Sequence, residues 1–164
     1  MSGKHPEETA LTMSQVMLPQ DTNPAGNVHG GVIMKLIDNA AAVTARRHFR
    51  GNVVTASIDS LKFKNPVFVG DLVMLKASVN LVGRTSMEIG VRVEAEDLDT
   101  GGVRHTASAY LTFVALDENG RPTQAPALIC RTPEARRRER EAMERRADRL
   151  AHRENRSSRS KDRR

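Results

Sequence analysis

The segment from Val32 to about Phe49 constrains this chain more than any other. It is rich in Ala, Leu, Ile and Met and free of Gly and Pro, and at 3.6 residues per turn its apolar positions fill most of the helical wheel. Lys35, Asp38, Asn39 and Arg46 fall near one another at helical spacing, as one narrow polar stripe. A helix of this kind is unstable on a surface and must be covered on nearly all sides. The rest of the chain supplies a cover. From Gly51 onward the period becomes that of strands, with β-branched residues in Val53–Phe63, Leu72–Val82, Ser86–Glu96 and Val103–Leu116. Turn signals separate the strands: Gly51-Asn52, Asn65-Pro66 with Gly70-Asp71, Gly83, Gly101-Gly102 and Asn119-Gly120. A further strand is expected over Thr9–Leu18, ahead of a loop marked by Pro19, Asp21, Asn23, Pro24 and Gly26. One strand, one buried helix and four more strands make an α+β pattern, and a curved antiparallel sheet wrapped around the helix satisfies it. No internal repeat is present, and one domain over residues 8–130 is expected, with 131–164 as a charged tail.

Composition sharpens this division. The chain of 164 residues has no Trp, four Phe and one Tyr, so part of it lies outside any core. Residues 134–164 hold 13 Lys+Arg against 7 Asp+Glu, which leaves 26 − 13 = 13 basic and 20 − 7 = 13 acidic groups in residues 1–133. The body is neutral and the whole net charge of +6 sits in the tail. A nucleic-acid-binding face built into the fold is therefore disfavoured, and only the appendage could contact RNA, DNA or an anionic surface. Pairs such as Glu141 with Arg145 favour a solvated helix from Glu134 to about Ala151, fraying into disorder after His152. Cys130 is the single cysteine, the first residues MSGKHPEETA lack an apolar core, and no stretch approaches a membrane span. Together these favour the cytoplasm.

The window from Pro19 to Arg47 carries the chemistry. Gly30 and Gly31 precede the helix and permit close approach of a ligand, while the first helical amides are unsatisfied donors at the positive end of the macrodipole. Two turns on, Asp38 suits a general base or nucleophile, and Asn23 or Asn27 suits holding a water or carbonyl. The residues alone leave alternatives open: Asp38 as part of a half-exposed polar stripe paired with Lys35, and Asn23 and Asn27 as turn residues. The motifs G-x-S-x-G, H-E-x-x-H and C-x-x-C and the Walker A pattern are absent, so triad and metal chemistry lack support.

Several segments in order, DTNPAGNVHGGVIMKLID, AAAVTARRH, VVTASIDSLKF, PVFVGD, VGRTSMEI and ASAYLTFVALD, resemble the acyl-CoA thioesterase branch of the hotdog superfamily. The likeness extends to short bacterial acyl-CoA thioesterases and to one half of the two-domain cytosolic acyl-CoA hydrolases, over roughly residues 10–130. It implies a hotdog fold and hydrolysis of acyl-CoA to fatty acid and coenzyme A, with no cofactor beyond the coenzyme A of the substrate. It places the aspartate of the family's helix on Asp38, as base or nucleophile, and the loop asparagine on Asn23, the two acting from different protomers of a dimer. Gly30 and Gly31 fall where a backbone amide supports the oxyanion, and Gly83, Arg84, Thr85 and Ser86 on the coenzyme-A-contacting segment. Arg84 also suits a phosphate by its own chemistry. Assembly as a trimer of dimers follows from family habit. Asn27 and His29 occupy variable positions and receive no role, and the Arg-rich end exceeds the family's usual terminal helix. Two other readings remain: a non-catalytic acyl-CoA sensor that uses its tail for nucleic acid or a partner, and a hydroxyacyl thioester dehydratase, for which His29 is badly placed.

Overall fold

The computed structural model describes residues 2–161, with side chains described up to His152. Its centre is helix α2, Gly30–Phe49, about 30 Å long at 1.5 Å per residue. Ile33, Leu36, Ile37, Ala40, Ala41, Thr44, Ala45 and His48 are buried along it. Three of these are alanines, which let the sheet approach closely. The helix begins two residues before the expected Val32, because Gly30 and Gly31 already adopt helical geometry. At the other end Arg50 takes the left-handed conformation, and Lys4 Nζ donates to the carbonyls of Arg47 and His48 at 3.0 and 2.7 Å.

Five antiparallel strands wrap this helix in the order β1-β3-β4-β5-β2, which is the hotdog arrangement. They are β1 Leu11–Val16, β2 Asn52–Phe63, β3 Leu72–Val82, β4 Ser86–Glu96 and β5 Val103–Leu116. β2 through β5 match the expected segments to within one residue. β1 is shorter than Thr9–Leu18, since a single-turn helix, α1 Pro6–Thr9, occupies its start and Pro19–Asp21 forms a 3₁₀ turn after it. The β2–β3 connection crosses the fold: β2 lies at one edge against β5, while β3 lies beside β1. Alternation divides the sheet into two faces. Val73, Leu75, Ala77, Val79, Ile89, Val91, Val93, Ala109, Leu111 and Phe113 form the inner face against α2.

The outer face is polar and carries the tail. Helix α3, Pro133–Lys161, continues past His152, where order was expected to fray. It is also more than a solvated helix, for its own Ala135 and Ala142 are buried. Arg145 donates to both carboxylate oxygens of Glu88 on β4, at 2.7–3.3 Å, and its guanidinium lies 3.7 Å over the Tyr110 ring. Hydropathy could not reveal this docking, because the contact is ionic. Among the described residues no helix is long and apolar enough to cross a membrane.

His48 is a buried charge risk at the base of α2. Its Nε2 meets the Pro126 carbonyl at 2.8 Å, and its Nδ1 has no partner. Burial, first, and then the nearby Lys4 ammonium hold its pKa below the ordinary 6.5, against the pull of the Pro126 carbonyl. A depressed histidine pKa means that the unfolded chain takes up the proton more readily, so this contribution is present above pH 6.5 and is lost as pH falls through the folded value. The thermal midpoint is accordingly expected to decline as pH falls below 6.5, and to do so less steeply in His48→Gln, as followed by circular dichroism.

Candidate active site

Asp38 lies on the side of α2 that turns toward β2, half-buried, and its Oδ1 accepts a hydrogen bond of 2.8 Å from Thr55 Oγ1. Asp38 stays on the half-exposed polar stripe, but its hydrogen-bond partner is Thr55 and not Lys35. Thr55 faces α2 because it stands opposite Phe113 of the inner face. Just beyond it β2 is bulged twice, between Thr55 and Ser57 and between Ile58 and Ser60. Sequence reasoning missed Thr55. The available signal was a threonine in a run of β residues one strand after the helix, which is too common a pattern to single out.

Asn23 forms a tight turn ahead of α2. Its Oδ1 accepts the amides of Ala25 and Asn27 at 3.0 and 3.2 Å, and its carbonyl accepts Gly26 N, where φ is +86°. With its oxygen engaged in the turn, the side-chain NH₂ is left to act outward. Asn27 closes this turn and also bridges to Phe68. His29 is the N-cap residue and makes no side-chain cap bond.

The amides of Val32 and Ile33 donate to His29 O, whereas those of Gly30 and Gly31 have no acceptor among the described residues. They are free donors at the positive end of a twenty-residue helix. A Cβ at Gly30 would lie 3.4 Å from Phe63, and one at Gly31 would meet nothing within 4 Å.

Gly83, Arg84, Thr85 and Ser86 form the β3–β4 hairpin, closed by Gly83 N to Ser86 O at 2.8 Å. The carbonyls of Arg84 and Thr85 accept Ala125 N and Ala115 N, so the hairpin backbone is fixed while the Arg84 side chain is exposed. A second guanidinium reaches the place: a Cβ on Gly83 would lie 2.8 Å from Arg146 Nη1 of α3. Arg146 was missed because the tail was expected to lie free of the sheet. Ser86 and Val54 both stand opposite Val114, which sets the hairpin level with Thr55, about 10 Å across two strand spacings.

One protomer does not bring these groups together. Gly31 and Asp38 are seven residues apart on one helix, hence about 10 Å along its axis, and neither Asn23 nor the free amides touch Asp38. The unsatisfied surface runs the same way. β2 is a long edge strand exposing Val54 (42%), Ile58 (40%) and Phe63 (53%), beside exposed Met34 and Val43 on α2.

Residues 25–101 match the family described as the thioesterase superfamily. The uncharacterized acyl-CoA thioester hydrolase YkhA of Bacillus subtilis is 41% identical over 128 residues, covering 78% of this chain and 74% of its own length. A hexameric acyl-CoA thioesterase solved without ligand superposes with a TM-score of 0.89 at 39% identity, over 93% of this chain and 97% of that one. The acyl-CoA hydrolase of Staphylococcus aureus, solved in complex with butyryl coenzyme A and coenzyme A, gives 0.87 at 34% identity, over 94% of both chains. That enzyme has also been solved with an aspartate, an asparagine or a threonine replaced by alanine.

Gly31 has neither a positive φ nor a close neighbour to require it, so its absence of side chain serves the space outside the helix. Gly31→Ala is expected to raise the unfolding free energy by about 0.5 kcal/mol through helix propensity, as read from urea denaturation.

Proposed function

Because this chain belongs to the thioesterase superfamily, we propose that its site is completed only when the Asp38 of one protomer meets the helix start of another. The protein is an acyl-CoA thioesterase. It hydrolyses the thioester of acyl-CoA, giving the free acid and coenzyme A, and coenzyme A enters only as part of the substrate. The alternative of a non-catalytic acyl-CoA sensor is not favoured, since the relatives are hydrolases.

In this reading Asp38 takes a proton from water, and the water oxygen forms a bond to the thioester carbon. Negative charge gathers on the carbonyl oxygen, where the free amides of Gly30 and Gly31 from the partner stabilise it. The tetrahedral species collapses, the C–S bond breaks, and the coenzyme A sulfur leaves and is protonated. Thr55 holds the Asp38 carboxylate in a single orientation, and the Asn23 NH₂ positions the water or the carbonyl. The coenzyme A phosphates lie toward Arg84 on the Gly83–Ser86 hairpin, with Arg146 beside it.

The observation that carries this reading is the separation within one chain of the acid from the amides. It is supported by the S. aureus hydrolase, whose replaced asparagine, aspartate and threonine stand at the same intervals along their chain as Asn23, Asp38 and Thr55 do here. The exposed apolar edge of β2 supports pairing of two sheets edge to edge, and the hexameric neighbours support a homo-oligomer, which we take to be a trimer of dimers. A cytoplasmic setting fits the lone Cys130, half-buried, whose thiol is pushed to about 11 by burial and then by the charge of Glu139.

Free-thiol release from short, medium and long acyl-CoAs tests the activity and its base. Turnover by the intact chain is expected to fall by at least about a hundredfold in Asp38→Ala while coenzyme A still binds. No thiol release from any acyl-CoA would overturn the activity, and full turnover by Asp38→Ala would overturn the base. Gly31→Ala, folded and slightly stabilised, is expected to lose turnover because its methyl group crowds the oxyanion.

A further inference from the structure

Behind β2, on the face turned away from Asp38, stands a pair of buried acids, Asp59 and Glu88, outside the reacting groups. Two residues of β2, Ala56 and Asp59, have no partner across the ladder to β5. Each bulge reverses the in-and-out alternation of the strand. That reversal is why Thr55 and Ile58, three residues apart, both stand opposite inner-face residues, Phe113 and Leu111. The aim of Thr55 at Asp38 therefore depends on the bulges staying where they are.

Asp59 ties them down. Its Oδ1 accepts Ser57 Oγ at 2.7 Å from its own strand, and its Oδ2 accepts Thr112 Oγ1 at 2.6 Å from β5. The carboxylate is well buried and carries a charge that needs a counterion. The counterion comes from the tail. Arg149 Nη1 of α3 lies 3.4 Å from Asp59 Oδ2 and 3.6 Å from Glu88 Oε2. Glu88, with 1% of its side chain exposed, is held in turn by Arg145, and Asn80 donates to it at 3.4 Å. Two guanidiniums thus balance two buried carboxylates across three elements.

We propose that Asp59 and Arg149 are positioning residues for the hydrolysis: Arg149 fixes the Asp59 carboxylate, Asp59 fixes the double bulge, and the bulge delivers the Thr55 hydroxyl to Asp38. Without Arg149 the Asp59 carboxylate loses its counterion, since Arg145 pairs with Glu88, and Asp59 turns away from its two hydroxyls. The inference rests on the reading of Asp38 and Thr55 as the catalytic pair. It also gives α3 a function in catalysis from the opposite face of the sheet.

The test compares Arg149→Ala, Arg149→Lys, Asp59→Asn and the double variant Arg149→Ala/Asp59→Asn in the intact oligomer, with Arg138→Ala as a tail control, whose partner among the described residues is exposed Glu134. Thiol release gives kcat and KM, and thermal midpoint and oligomer size are measured alongside. Arg149→Ala and Asp59→Asn are each expected to lower kcat on the order of tenfold, with KM within about twofold and the oligomer intact. Arg149→Lys is expected to recover most of the loss, because Arg149 Nη1 makes no hydrogen bond among the described residues and acts through charge. The double variant is expected to be no slower than the slower single one. Unchanged kcat in Arg149→Ala, a fall matched by loss of oligomer or by unfolding at the assay temperature, no rescue by lysine, or additive losses would each overturn the proposal. Should Asp59→Asn not assemble, the two Arg149 variants decide it. Full turnover by Asp38→Ala would sink the catalytic pair itself, whereas an inactive Asp38→Ala beside an unimpaired Arg149→Ala would sink this inference alone.

Discussion

The apolar circumference of α2 governs everything else in the molecule. A helix whose wheel is buried on most sides at Ile33, Leu36, Ile37, Ala40, Ala41, Ala45 and His48 cannot exist until a sheet encloses it. Five strands from one chain enclose most of it and stop at β2. What stays open is the stripe that holds Asp38, with the exposed edge of β2 next to it. The same incomplete closure that leaves apolar surface for another protomer leaves the carboxylate facing outward from its own core. The seam where a second copy packs and the site where a thioester is cleaved are in this account one place.

The outer face of the sheet follows a different rule. There the burial is of charge, with Glu88 and Asp59 set into β-strands and neutralised by Arg145 and Arg149 from a helix far along the chain. Such contacts add little net stability when both charges must leave water, yet breaking one leaves an uncompensated buried ion. Specific geometry is what they provide. In this protein that geometry includes the bulged stretch of β2 behind Thr55.

The sequence was most legible where periodicity is strong. The four strands after the helix were placed within a residue, because alternating β-branched runs between Gly and Asn-Pro turns admit few other readings. α2 was placed but started late, since glycine is a poor helix former and hydropathy cannot tell a glycine that ends a loop from one that opens a helix. The order of strands was beyond reach: nothing in the eight residues between β2 and β3, 64–71, announces a crossing from one edge to the other side of the sheet. Asp38, Asn23, Gly30 and Gly31 were singled out by the helix-start chemistry together with the family resemblance. Thr55, Asp59 and Arg146 were not, because their roles arise from bulges and from a docked charged helix, neither of which leaves a hydropathic signature.

The central claim is that one protomer holds only half of each catalytic constellation. Mixing Asp38→Ala subunits with Asn23→Ala subunits, by unfolding and refolding them together, tests it most directly. Each variant alone is expected to be nearly inactive. In a two-fold dimer half of the random pairs are mixed and each mixed pair rebuilds one intact site of two, so thiol release is expected to return to about a quarter of the unmodified level. Mixtures no more active than their parents would contradict a shared site and place Asp38 and Asn23 in the same half.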